Sequence, residues 1–148
     1  MMPKETLSDP LVHYVGIGAS AGGLEAIEEF FSHMPENSNL AFIVIQHLSP
    51  DYKSLMVELL SKKTQIPVHR SVDGMTVKPN NIYMIPPKKN LSIFHGRLVL
   101  KEKDTTRGVN LPIDIFLRSL AEDKAERAIA IILSGTGSDG TRGVRAIK

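Results

Sequence analysis

The sequence predicts an α/β protein with a doubly wound, mostly parallel sheet flanked by helices. Two observations carry that prediction. Short buried strands are predicted at 13–19, 40–45 and 128–133, and the unbroken apolar run at 40–45 is typical of a central parallel strand covered on both faces. A helical pattern follows each of the first two strands and precedes the third. Right-handed crossovers then bring the carboxyl ends of the strands to one edge of the sheet, where such folds bind ligands.

The predicted helices are recognised by apolar residues at a spacing of about 3.6 and by their end signals. The first runs from Gly22 to about Pro35. The second follows Ser49 and Pro50, which suit an N-cap and a first helical position. The third begins near Pro112.

The middle of the chain, from residue 66 to residue 100, has a different texture. It contains short strands and turn signals, with a strand at 82–85 and an irregular segment around His69. Apolar runs at 91–94 and 98–100 flank His95-Gly96, which predicts a short β-hairpin insertion.

The length of 148 residues indicates one domain. Residues 1–12 are polar and contain two prolines, so they are expected to form a flexible lead-in, and 13–148 an α/β domain. Because the last residues read as the interior of another helix, we expect that domain to be C-terminally truncated.

The composition narrows the classes of function. A net charge of +2 gives no reason to expect nucleic acid, and zero cysteines exclude disulfides and thiol chemistry while fitting a cytoplasmic protein. No apolar run reaches the ~18 residues of a membrane helix, so no membrane insertion is expected. The histidines lack metal-ligand spacing, and neither a metal nor a cofactor is predicted.

Glycines concentrate in two stretches that directly follow apolar runs. Of 11 glycines, four lie in 16–23 and four in 135–143. In the first stretch Gly18, Ser20 and Gly22 satisfy the G-x-S-x-G pattern, which presents a serine hydroxyl after a strand. The same stretch satisfies the G-x-G-x-x-A spacing of a looser phosphate loop through Gly16, Gly18 and Ala21.

Three catalysis-capable side chains follow the three apolar strands: Ser20, His47 and Asp139. A serine hydroxyl needs a base, and an imidazole needs a carboxylate to fix its tautomer. The sequence therefore predicts Ser20 as nucleophile, His47 as general base and Asp139 as orienting acid. Each also has a structural interpretation: a helix cap, a strand-end histidine bonded to backbone, and a turn residue before Gly140.

The phosphate interpretation meets two difficulties. A dinucleotide site needs an acidic residue after the second strand, which instead ends in Gln46-His47. The glycine-rich segment 134–140 also lacks the lysine of a phosphate loop. Nucleotide binding at 16–23 stays as a further hypothesis, testable by a thermal shift with a nucleotide.

Five sequence motifs in this order resemble the chemotaxis receptor methylesterase family, the catalytic domain of CheB-type proteins. The resemblance spans residue 14 to the end of the chain. The motifs are Gly18-Ala19-Ser20-Ala21-Gly22-Gly23, Gln46-His47-Leu48, Tyr83-Met84-Ile85-Pro86-Pro87, Leu111-Pro112-Ile113-Asp114 and Leu133-Ser134-Gly135-Thr136-Gly137-Ser138-Asp139-Gly140.

The resemblance implies a serine hydrolase that removes methyl esters from γ-glutamyl side chains on the cytoplasmic helices of chemoreceptors. It also implies deamidation of some receptor glutamines. The family triad falls on Ser20, His47 and Asp139, and the backbone N–H groups of Ala21 and Thr136 are the implied oxyanion donors.

The chain departs from the family pattern in two places. Position 21 is alanine where the family often has threonine, and the 12 residues before the first strand are too few for a receiver domain. Variants with the esterase domain first resemble fusions to a methyltransferase and sensor domains, so these are further expected partners. The alternative hypothesis is a truncated, non-catalytic regulatory or receptor-binding module.

Overall fold

The computed structural model describes residues 12–19, 23–46, 56–102, 111–133 and 141–148. The strands in chain order are β1 (His13–Ala19), β2 (Leu40–Gln46), β3 (Val68–Arg70), β4 (Asn81–Met84), β5 (Lys89–Phe94), β6 (Arg97–Glu102) and β7 (Ala128–Ile132). The helices are α1 (Leu24–Ser32), α2 (Met56–Ser61), α3 (Pro112–Lys124) and α4 (Thr141–Ile147). None of the described helices is long and apolar enough to cross a membrane.

Five of the strands in the described residues form one parallel sheet in the order β3-β4-β2-β1-β7. The unbroken apolar run of β2 takes a central place, and every residue from Ala41 to Gln46 is buried. Strands covered on both faces need apolar side chains in both directions, which is why β2 shows no alternation. The predicted parallel sheet is confirmed.

Helices cover both faces of this sheet, so the predicted doubly wound arrangement is also confirmed. On one face Ile27 and Phe31 of α1 pack with Leu60 of α2 against the sheet. The rings of Phe31 and Phe42 meet edge to face with centroids 5.0 Å apart. The other face is covered by α3, α4 and the hairpin.

Side chains of α3 pack directly against the backbone of β1 because β1 carries glycines on the facing side. A Cβ atom on Gly16 would stand 2.6 Å from Leu117 Cδ2, and one on Gly18 would stand 2.8 Å from Ile113 Cγ2. These distances are too short for carbon atoms in contact. The two glycines therefore let α3 seat its apolar side directly on the strand.

Strands β5 and β6 form the predicted hairpin, paired antiparallel outside the main sheet. Its turn residues, His95 and Gly96, both have positive φ, at 52° and 75°, as a type I′ turn requires. The hairpin is fastened to α3, since Ile93 N–H donates to Ser119 Oγ at 3.0 Å. Leu91 of β5 and Leu98 of β6 are fully buried.

The segment around His69 differs from the sequence prediction. It was expected to be irregular, but Val68–Arg70 forms the edge strand β3, parallel to β4. His69 Nε2 and Asn81 Oδ1 share a hydrogen bond of 2.7 Å, and the imidazole stacks on Tyr83. These cross-strand contacts stabilise a strand that has only three residues.

Candidate active site

Three strands that precede the predicted site residues end side by side. In the register of the sheet Ala19 of β1 lies opposite Gln46 of β2, and Gly18 lies opposite Ile132 of β7. Leu133 N–H continues the pairing by donating to Gly18 O at 2.9 Å. Neighbouring strands are about 4.8 Å apart. The carboxyl ends of β2, β1 and β7 therefore form one continuous edge.

The residues predicted to do the chemistry lie outside the described part of the chain: Ser20, Ala21, His47, Thr136 and Asp139. What the structure provides is the position of the residues that lead into them. Ser20 follows Ala19 directly and His47 follows Gln46, while the segment with Asp139 follows Leu133. The predicted common edge is thus confirmed for the strands, and the contacts among the three side chains stay a prediction.

Two glycines of the pattern that resembled a phosphate loop, Gly16 and Gly18, have a packing role instead. Gly16 and Gly18 lie inside β1, hydrogen-bonded between β2 and β7, rather than in a turn. Their missing side chains make room for Leu117 and Ile113 of α3. Gly16 and Gly18 therefore belong to the strand predicted at 13–19, and packing against α3 is what requires glycine at both positions.

A residue without a predicted role lies beneath this edge. Asp114, in the first turn of α3, is 4% exposed, and its Oδ1 accepts a hydrogen bond of 2.9 Å from Gly143 N–H. Gly143 belongs to α4, which begins at the residue after the segment 134–140. The sequence did hold a signal, since Asp114 sits one turn before Leu117 on the apolar side of the helix, where a charge is rare.

Ser71 lies at the same edge, at the end of β3. Its N–H donates to Met84 O at 2.9 Å, which continues the β3–β4 pairing. The side chain is 3% exposed, and its hydroxyl has no hydrogen-bond partner among the described residues. Three strand spacings separate β3 from β1, which amounts to about 14 Å. Ser71 is therefore a serine of the same edge outside the predicted constellation.

Two histidines in the described ranges are occupied by local contacts. Nδ1 of His33 lies 3.0 Å from Glu29 O at the end of α1, and His69 pairs with Asn81. Across residues 12–19, 23–46, 56–102, 111–133 and 141–148, no three His, Asp or Glu side chains form a group that could hold a metal ion.

Two shifted pKa values occur in the described structure, and both belong to structural hydrogen bonds. Burial raises the pKa of Tyr83, whose hydroxyl donates to Thr76 O and accepts from Lys78 N–H. Burial also opposes ionisation of Asp123, but N–H groups of Gly96 and His95 and the Lys124 ammonium outweigh it, so the pKa of Asp123 is lowered.

The fold and this edge define a class: doubly wound α/β domains that place their reactive groups beyond the carboxyl ends of parallel strands. The family model described as CheB methylesterase matches residues 15–148. The chain belongs to the CheB methylesterase family.

Similarity to individual proteins supports this family assignment. The protein-glutamate methylesterase/protein-glutamine glutaminase of Thermotoga maritima is 30% identical over 149 residues, covering 97% of this chain and 43% of that protein. The crystal structure of the T. maritima CheB methylesterase catalytic domain superposes with a TM-score of 0.80 at 28% identity, covering 93% of this chain and 75% of that one. The chain thus spans about two fifths of the curated relatives it matches first.

A relative of another kind is an uncharacterized 104.1 kDa protein of Rhodobacter capsulatus. It is 42% identical over 92 residues, which cover 62% of this chain and 10% of that protein. A domain of this family therefore also resembles part of a much larger polypeptide.

Proposed function

We propose that this chain is the catalytic domain of a protein-glutamate methylesterase. It would hydrolyse γ-glutamyl methyl esters on chemoreceptor helices by a triad of Ser20, His47 and Asp139. The observation that carries the proposal is the common edge of β2, β1 and β7, because the chain leaves that edge directly into the segments that contain these three residues. Membership of the CheB methylesterase family supports the reaction type.

In the proposed acylation step Ser20 Oγ attacks the γ-carbonyl carbon of the methyl ester. His47 takes the hydroxyl proton as the new C–O bond forms, and Asp139 stabilises the resulting imidazolium. The tetrahedral intermediate carries negative charge on the former carbonyl oxygen, for which the N–H groups of Ala21 and Thr136 are the proposed donors. Its collapse breaks the bond to the methoxy group, which leaves as methanol with the proton from His47.

In the proposed deacylation step water attacks the acyl ester on Ser20. His47 accepts a proton from that water and returns it to Ser20 Oγ when the ester bond breaks. The products are the free enzyme and a glutamic acid side chain, which releases its proton to the solvent and becomes the carboxylate. A glutaminyl side chain would follow the same route with ammonia as the leaving group, which accounts for a glutamine deamidase activity.

The proposed partners follow from the substrate. Methylated helices of chemoreceptors lie in the cytoplasm, so we place the protein there. A methyltransferase and sensor domains fused to this chain are further proposed partners, supported by the likeness to part of a 104.1 kDa protein.

The proposal is tested by methanol release from a methylated receptor, measured with the full-length protein. Ser20→Ala is expected to lower kcat at least 1000-fold, and His47→Ala to be as severe, because the members of a triad act as one unit. Ser71→Ala is the matched control: the same substitution, at the same sheet edge, at a hydroxyl without a hydrogen-bond partner among the described residues. Its kcat is expected to stay within about twofold of the unsubstituted protein.

Methanol release that persists in Ser20→Ala would overturn the triad. A folded, unsubstituted protein that binds the methylated receptor without releasing methanol would instead favour the regulatory or receptor-binding module. A nucleotide-dependent rise in melting temperature would support the third hypothesis, nucleotide binding at 16–23.

A further inference from the structure

Asp114 holds the amino-terminal end of α4 from a different helix. The first N–H groups of any helix lack partners within that helix. In α4 one of them, on Gly143, donates to Asp114 Oδ1 at 2.9 Å. The donor is a backbone group of the third residue of α4. The carboxylate of α3 therefore acts as a cap for α4, supplied across the interface between two helices.

Because this carboxylate is buried, its hydrogen bond to Gly143 is energetically important. A buried charge is unfavourable unless it is hydrogen-bonded, and Asp114 lies among fully buried apolar side chains such as Ile113 and Leu117. Its place in the first turn of α3 offsets part of that unfavourable energy, because the amino terminus of a helix carries partial positive charge. An apolar residue at position 114 would need neither a hydrogen bond nor a nearby positive charge. It could not, however, accept the hydrogen bond from Gly143 N–H.

Through α4, Asp114 fixes the point at which the segment 134–140 ends. Residues 134–140 connect β7 to α4, and they include Thr136 and Asp139. At the start of this segment Leu133 is tied to Gly18 O of β1. At its end α4 is tied to α3 through Gly143 and Asp114. Both ends are thus fixed to elements that also contact each other, since Ile113 packs on Gly18.

We propose that Asp114 is a positioning residue for the esterase reaction. By fixing α4 it sets the location of the segment with Thr136 and Asp139 relative to the end of β1, which leads into Ser20. This inference rests on the proposed function. A misplacement of about 1 Å in a catalytic group lowers rates about 100-fold, so loss of the cap acts on the chemical step.

The variants follow from the geometry of the hydrogen bond. Asp114→Leu removes the acceptor while keeping the same branched arrangement of side-chain heavy atoms, and we expect kcat to fall at least tenfold with KM within about twofold. Asp114→Asn keeps an Oδ1 acceptor, and we expect kcat to recover to within about threefold of the unsubstituted protein. Folded fractions are measured by circular dichroism, so that kcat is given per folded molecule.

Asp123→Leu is the matched control on the same helix. Asp123 also accepts backbone N–H groups of another element, those of His95 and Gly96 at 2.6 and 3.0 Å. It lies nine residues further along α3, about 13 Å from Asp114 along the helix axis, and it holds the hairpin. We expect Asp123→Leu to leave kcat within about twofold.

Hydrogen exchange followed by mass spectrometry, together with methanol release, tests the proposal in the full-length protein. We expect Asp114→Leu to speed exchange in peptides that cover 134–148, Asp114→Asn to leave it unchanged, and Asp123→Leu to speed exchange only around 93–97. Unchanged exchange at 134–148 in Asp114→Leu overturns the cap whether or not the protein is active. Faster exchange with full kcat overturns the positioning role alone. A lack of methanol release by the folded, unsubstituted protein overturns the proposed function and with it the positioning role, while the exchange data still decide the cap.

Discussion

Leu117 of α3 lies between two glycines that are far apart in the sequence. Its Cδ2 occupies the space that a side chain on Gly16 would need, and its Cβ occupies the space beside Gly143. The same leucine thus sets how closely α3 approaches β1 and α4. At Gly16 the obstacle is the far end of a flexible side chain, whereas at Gly143 it is a carbon bonded to the backbone. Gly143 is therefore the less tolerant position.

Gly143→Ala is expected to destabilise the protein, which is opposite to the usual effect of this change within a helix. Helix propensity alone would favour alanine by about 1 kcal/mol. Overlap with Leu117 Cβ forces α4 away from α3, and overpacking of this kind lowers the free energy of unfolding by about 1 to 3 kcal/mol. Urea unfolding measures the change. Arg145→Ala, at an exposed position of α4, is the control with an expected change below about 0.5 kcal/mol. A more stable Gly143→Ala protein would contradict the close contact.

The sequence showed that Gly16 and Gly18 lie in an apolar run, but it did not show why glycine is needed there. A glycine within an apolar run signals either an unusual backbone angle or a close neighbour. For Gly16 and Gly18 the neighbour is α3, about 100 residues later, and no local pattern connects the two. Asp114 was equally hard to interpret, because its partner is a backbone N–H of Gly143, which has no side-chain signature.

Helix α3 connects the parts of the protein that the main sheet alone would leave separate. Its first turn holds α4 through Asp114, its middle packs on β1, and its last turn holds the hairpin through Asp123. Pro112 at the start and the apolar spacing that follows made this helix predictable. Its three attachments were not, since they depend on tertiary contacts with the hairpin, β1 and α4.

The hairpin attachment is expected to depend on pH. The pKa of Asp123 is lowered in the folded protein, so the ionised form is favoured there over the unfolded chain, in which Asp has a pKa of about 3.9. Its contribution to stability is then fully present above that pH and is lost as the pH falls toward the lowered folded value. Asp123→Asn keeps acceptors but not the charge. The difference in unfolding free energy between the two proteins should be about 1 kcal/mol near pH 7 and shrink below about pH 4.

Urea titrations of both proteins at several pH values measure that difference. Glu126→Gln, next to α3 and exposed, serves as the control for removal of one acid. A difference between the Asp123 proteins that does not change with pH would contradict the role of the ionised carboxylate.

Strand β3 shows where element prediction from sequence fails. Strand β2 was predictable because six consecutive apolar residues leave little alternative for a short buried segment. Strand β3 has three residues, of which one is apolar, and it forms through pairing with β4 and through the His69 contacts. The pairing partner, rather than the segment itself, decides that it is a strand.

Burial of the strands decreases from the centre of the described sheet toward its two outer strands. Strand β2 is buried on both faces, whereas in β7 Ile129 and Ile132 are 36% and 41% exposed. Strand β3, at the other end of the order, is half-buried or exposed throughout. Because resistance to local unfolding depends on buried contacts, β2 should resist it most, β7 less and β3 least.

Native-state hydrogen exchange is expected to rank the strands accordingly. Amides of β2 should exchange only through global unfolding, those of β7 faster, and those of β3 and the hairpin turn fastest. Denaturant dependence of the exchange rates identifies which amides need global unfolding. Equal protection of β3 and β2 would contradict the ranking.

The order of the strands in the sheet also determines when the sheet can be completed during synthesis of the chain. Strand β1 lies between β2 and β7, and its residue Tyr14 pairs with Ala128, more than 100 residues later. A ribosome adds about 5–20 residues per second, so one side of β1 waits roughly 6–23 s for its neighbour. During that time its unpaired N–H and C=O groups and the groove beside Gly16 and Gly18 lack their native cover. Since pairing over such separations is also slow once the chain is complete, we expect the nascent protein to depend on chaperones in a way that the folded domain does not.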